Sequence, residues 1–155
     1  MIRCLMMLKS SSLDEVRAEL AMEIGMASRR WRTLVDEHLR DYGLTHARWQ
    51  VLQELQTAPL GLNQRELAQR LAIEPASLVG QLDGLEKQGL VERLEAPGDR
   101  RAHAIVLTDT SQSLYRRVTA VVDQLRARAT AGLRRCELDA TIEALRTIRS
   151  NLEQL

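Results

Sequence analysis

Asp99, Arg100 and Arg101 follow directly on Pro97-Gly98 in "EAPGDRRAHAIVLT". Two adjacent guanidiniums at the tip of a turn are suited to one kind of chemistry, the binding of a polyanion. Asp99 one residue before Arg100 can form the turn or orient a guanidinium, and His103 sits where it adds a further phosphate contact. The flanking runs "LVERLE" and "HAIVL" alternate in polarity around the Pro-Gly pair and predict a two-stranded hairpin.

Something must hold that hairpin against its partner. Thr45 predicts the cap of a helix, "HARWQVLQELQTA", closed by Pro59 and Gly61. Asn63 and Glu66 stand at capping-box spacing before "QRELAQRLA". Ile73 leads into another helix with Pro75 in its first turn, which runs through "ASLVGQLDGLEKQ" to Gly89. The last two helices are joined by very few residues around Ala72-Ile73, the spacing of a helix-turn-helix, and the hairpin that follows is its wing. A helix has the diameter to enter the DNA major groove, and a wing carrying arginines can reach the neighbouring minor groove. On the wheel of the reading helix Leu78, Leu82 and Leu85 face inward, which leaves Ala76, Ser77, Gly80, Gln81 and Gly84 facing out. Asn63 and Gln64 open the bracing helix and join the DNA-contacting set.

The rest of the chain predicts long helices. Apolar residues recur at helical spacing from Leu13 to Tyr42, with Gly43 as the stop. Thr108 or Asp109 caps a fifth helix through about Leu133, with Leu114, Val118, Val121, Val122, Leu125 and Ala129 on its apolar face. A sixth spans roughly Glu137 to Leu155. Residues 1–12 read as a flexible arm, with Met6 and Met7 as alternative starts. The apolar run of "MIRCLMMLKSSS" is too short for a signal peptide and lacks a small-x-small cleavage site.

Composition sets the outer bounds. A chain of 155 residues buries about 70% of its unfolded surface and needs no metal or disulfide to do so. The absence of Phe and the scarcity of other aromatics argue against an aromatic platform for single-stranded nucleic acid, while the net charge of +1 neither suggests nor excludes a nucleic-acid partner. Cys4 and Cys136 are far apart with no CxxC, which suits a cytoplasmic location. No stretch approaches a membrane span. His38, His46 and His103 are scattered, so no metal site is expected, and no cofactor motif is present. There is no phosphate loop, GxSxG or HExxH, so the chain does not read as an enzyme.

The pieces "LTHARWQVL", "ELAQRLAIEPASLVGQLDGLEKQGLVER" and "GDRRAHAIVLT" together resemble the MarR family of transcription regulators, and within it the SlyA-like branch. The resemblance implies a mostly α fold with a small β-hairpin: a winged helix-turn-helix with N- and C-terminal dimerisation helices. Residues 13–44 and 108–155 would build a homodimer, and residues 45–107 a lobe on palindromic operator DNA. It implies that a small aromatic carboxylate, salicylate-like, binds between the dimer helices and the lobe and releases the DNA. By the same resemblance the reading helix begins near Glu74, Ser77 contacts phosphate or base, and Asp99 orients Arg101, with Arg100 as a second wing arginine. Thr45, Trp49 and Trp31 match positions around the ligand pocket. Either His38 or Arg48, among other cations, could meet the carboxylate.

One departure stands out. SlyA-like proteins carry a guanine-reading arginine where this chain has Gly80. Residues 63–107 also hold seven acidic side chains against six basic ones, so DNA attraction must come from local placement. A winged-helix module turned to protein partners, with weakened DNA specificity, is the alternative reading.

Overall fold

Ser12 opens the first helix. Its hydroxyl accepts from the Glu15 amide, and the Glu15 carboxylate accepts from the Ser12 amide at 2.8 Å, so two orphan donors are satisfied reciprocally. The computed structural model describes residues 12–96 and 99–155, with side chains described outside 95–103. Of the arm expected over residues 1–12, residues 1–11, with Cys4 and both alternative start residues, lie outside the described residues. Ser12 itself is a helix cap and not part of an arm.

The elements are α1 (Leu13–Leu39), α2 (His46–Gln56), α3 (Gln64–Leu71), α4 (Pro75–Lys87), β1 (Val91–Ala96), β2 (Asp99–Leu107), α5 (Asp109–Ala129) and α6 (Arg135–Leu152). The first helix stops three residues earlier than its periodicity predicts. Residues Arg40–Tyr42 tighten into a 3-10 turn, and Gly43, at φ 68°, closes it. Similarly α5 ends at Ala129 rather than near Leu133, with a turn through Gly132 at φ 87°. α6 starts at Arg135, two residues before Glu137, whose carboxylate accepts from the Arg134 amide at 2.8 Å.

Chain contacts divide the protein into two units, with the boundary inside α5 between Val118 and Thr119. The first holds α1 to β2 and the start of α5. Its core comprises Val35 and Leu39 of α1, Trp49, Val51, Leu52 and Leu55 of α2, Leu67 of α3, Leu78, Leu82 and Leu85 of α4, and Ile105 of β2. Each helix therefore contributes one apolar stripe, as its 3.6-residue period requires. Trp49 is 1% exposed, and its ring lies 4.9 Å from that of Tyr115 on α5. β1 and β2 pair antiparallel from Val91↔Leu107 to Glu95↔His103, with a register shift before Ala96↔Asp99.

The hairpin is tied to the helices at its base. Leu62 forms a bridge with Ile105, its amide donating to the Ile105 carbonyl at 3.2 Å and its carbonyl accepting from the Ile105 amide at 2.8 Å. Gly61 makes the approach possible. At φ 83° it has no room for a side chain, since a Cβ would lie 2.7 Å from Val106 Cγ1 and 2.9 Å from the Ile105 carbonyl oxygen. Thr108 closes the other end by donating to the Gly89 carbonyl at 2.6 Å, while its hydroxyl accepts from the Ser111 amide at the start of α5.

The second unit holds the end of α5, where Val122 and Leu125 are buried, and all of α6, where no residue is buried. Among the described residues, no helix is long and apolar enough to cross a membrane, and no cluster of three His, Cys, Asp or Glu is placed to hold a metal ion.

Candidate nucleic-acid interface and the groove beside it

α3 and α4 are joined by a turn of three residues, Ala72 to Glu74. Ala72 takes the left-handed conformation, φ 52° and ψ 45°, and its amide and that of Ile73 cap the carbonyls of Gln69 and Ala68. This is the close of helix usually given to glycine. Asn63 caps α3 at 2.9 Å to the Glu66 amide, with Gln64 as the first helical residue behind it. Pro75 follows as the first residue of α4, where its missing N–H costs nothing.

α4 exposes Ala76, Ser77 and Gly80, with Gln81 half-buried. A Cβ at Gly80 would meet nothing within 4 Å. Leu78, Leu82 and Leu85 point into the core, as the wheel requires. Gly84 does not share the open face expected for it. It lies under the guanidinium of Arg48 from α2, and a Cβ there would fall 2.1 Å from Arg48 Nη2. On the opposite flank Arg93 of β1 pairs with Asp83 at 2.9 Å and with Glu86. The wing residues Asp99, Arg100, Arg101 and His103 all fall on the backbone of β2, next to the turn that lies outside the described residues.

Beside α4 is a cavity of about 260 Å³. Arg32 and Asp36 line it from α1, Thr45, His46, Ala47 and Gln50 from the start of α2, Leu71 and Ile73 from the helix-turn-helix turn, and Ser77 and Gln81 from α4. Two sets of residues that the sequence reading kept apart therefore meet: Ser77 and Gln81 from the DNA set and Thr45 from the effector set. The His46 amide donates to Asp36 Oδ1 at 2.6 Å, which fastens the positive end of α2 to α1. Burial pushes the His46 imidazole below its ordinary range; Asp36 opposes this and Arg32 adds to it.

The other four residues expected around an effector do not line this cavity. Trp49 is core, stacked on Tyr115. Trp31 is half-buried on α1, and His38 is exposed, its Nδ1 2.8 Å from the Leu34 carbonyl one turn back. Arg48 stands two residues from both His46 and Gln50, off the face of α2 that they share, and lies over Gly84 instead. Arg32, Asp36 and His46 escape the sequence reading because the pairing of Asp36 with His46 spans the α1–α2 corner. No periodicity marks a contact across a corner.

Three short helices, two of them at helix-turn-helix spacing, and a hairpin bridged back to Leu62 define a winged helix-turn-helix, a DNA-binding fold. Comparison with known proteins narrows this. The MarR family model matches residues 42–102. Transcriptional regulator PA3341 is 38% identical, with a TM-score of 0.79 over 88% of this chain and 99% of that one. A mutant MarR from E. coli, carrying a single cysteine-to-serine change and complexed with operator DNA, is 26% identical, with a TM-score of 0.78 over 89% and 99%. CouR from Rhodococcus jostii RHA1, bound to p-coumaroyl-CoA, is 27% identical, with a TM-score of 0.77 over 83% and 90%. The chain belongs to the MarR family of transcription regulators, and so to a family of regulators and not of enzymes.

Proposed function

We propose that the protein is a homodimeric repressor that binds palindromic promoter DNA and is released when a small aromatic carboxylate enters the cavity beside α4. In this reading α4 lies in the major groove with Ala76, Ser77, Gly80 and Gln81 toward the bases, and Asn63 and Gln64 meet phosphate. Asp99, Arg100, Arg101 and His103 of the wing serve the adjacent minor groove. Occlusion of the promoter accounts for repression. The MarR–operator complex supports the DNA half of the proposal, and the ligand in CouR supports an effector.

The observation that carries the release step is the shared lining of the cavity. A ligand resting on Arg32 and Thr45 also touches Ser77 and Gln81 of the reading helix, so a ligand that fits the free arrangement better than the DNA-bound one shifts the protein off DNA. Arg32 supplies a cation for a carboxylate, and Leu71 and Ile73 supply apolar surface for a ring.

The N-terminal part of α1 and all of α6 lack cover, which supports the dimer. On α1, Leu13 is 64% and Leu20 47% exposed. On α6, Ile142 is 46% and Leu152 64% exposed. An isolated amphipathic helix with no buried face is marginal in water, and a second copy offers the same apolar stripe in return.

Selection of bound sequences from random duplex DNA, followed by footprinting, tests the reading. The expected product is a palindrome with half-sites about one helical turn apart, contacted by a species of twice the chain mass in the ultracentrifuge. A lone subunit, or no enriched sequence, rejects it. Calorimetry with salicylate tests the effector class: neither heat of binding nor loss of DNA affinity removes that class.

A further inference from the structure

The recognition helix has no arginine of its own, yet a guanidinium lies against it. Arg48 of α2 extends across the bare backbone of Gly84, so closely that a Cβ at Gly84 would be 2.1 Å from Nη2, 2.5 Å from Cζ and 2.8 Å from Nε. Only glycine leaves this seat. The Nε atom is buried and has no acceptor. Among the described residues no carboxylate or carbonyl takes any other hydrogen of this guanidinium, whereas Arg93 on the other flank of α4 is held by both Asp83 and Glu86. A half-buried guanidinium without an anion in the free protein keeps its charge-assisted hydrogen bonds available to an external one.

We propose that Arg48 is the phosphate-binding arginine of the reading unit, carried by α2 and positioned by Gly84. The proposal rests on the DNA-binding reading above. Phosphate rather than base follows from position. Gly84 lies in the last turn of α4 (Pro75–Lys87), whereas base edges are read by the first turns of a recognition helix. Beside the last turn the nearest anion on a duplex is its backbone. Gly84 is thus no sign of a degenerate reading helix: its missing side chain is the slot for another element's charge.

The test is fluorescence anisotropy with the full-length protein on its selected operator and on a scrambled duplex, across a salt series. Arg48→Ala should weaken both duplexes alike, about tenfold, and lower the salt slope by about one. Gly84→Ala should do the same while keeping the arginine, because the new methyl displaces the guanidinium. This substitution favours the helix, so the loss cannot be blamed on unfolding, and a thermal melt checks that. The double variant should lose no more than either single one. Arg48→Lys should restore the slope. An unchanged slope in Arg48→Ala or Gly84→Ala overturns the proposal, as does a loss confined to the operator. If the wild type itself binds neither duplex, the underlying DNA reading falls and takes this one with it.

Discussion

Arg93 on β1 holds the carboxylate of Asp83 on α4 at 2.9 Å, and the same guanidinium pairs with Glu86 one turn on. One cation thereby joins the wing to the reading helix and neutralises two anions on a helix expected to approach phosphates. The three side chains are 30%, 49% and 41% exposed, so solvent screens the pairs and their worth to stability is under about 1 kcal/mol. Arg93→Ala should therefore leave the denaturation midpoint nearly unchanged yet weaken DNA binding markedly at low salt. Adding Asp83→Asn and Glu86→Gln to that variant should recover most of the affinity. Failure of the triple variant to recover would show that Arg93 acts by shape alone.

Gly80 has open space where a Cβ would stand, so an arginine there meets no steric obstacle. Gly80→Arg removes a helix-interior glycine, worth about 1 kcal/mol, and supplies a guanine contact worth about 1–3 kcal/mol. Titration at fixed salt should show tighter binding to guanine-containing SlyA-type sites. No gain would count against the register in which α4 enters the groove.

Ala72 sits in the left-handed region at φ 52°, which costs an L-residue roughly 1–2 kcal/mol. Ala72→Gly relieves this and gives part of it back as extra freedom of the unfolded chain. The expected result is a protein about 0.5–1 kcal/mol more stable, read as a higher urea midpoint at constant slope. A lower midpoint would mean that the methyl group is needed for packing in the turn.

His46 releases its proton more readily in the folded protein, chiefly because it is buried. Below the ordinary histidine value of about 6.5 the unfolded chain binds more protons than the folded one, so stability falls as pH drops through that range. The contribution is fully present above about 6.5 and declines until the folded imidazole is itself protonated. Urea titrations between about pH 7 and about pH 5 should show this decline in the wild type, and a shallower one in His46→Gln. Equal declines would place the pH dependence elsewhere.

Much of the fold is legible in the sequence because its signals are local. Asn63 with Glu66, Pro75 after Glu74, and the alternation on either side of Pro97-Gly98 each act within a few residues, and caps, turn formers and side-chain period work at that range. The stripe of Leu78, Leu82 and Leu85 marks the inward face of α4 for the same reason. The ends of α1 and α5 are not legible in this way. An apolar period can run past the last hydrogen-bonded turn, through Tyr42 or Leu133, without marking where the backbone leaves the helix.

What the linear order could not supply is the meeting of side chains from different elements. The wheel angle of Gly84 points to an open face, but an arginine from α2 fills that angle. Trp49 is equally fit for core or ligand until Tyr115, sixty-six positions on, comes against its ring. Asp36 and His46 become partners only once the chain turns at Gly43. The amino-acid sequence alone determined the helices, the wing and the family, since those rest on interactions between near neighbours. Tertiary packing decided which polar groups share a cavity and which guanidinium lies over Gly84, because such pairings depend on distances that only the assembled helices set.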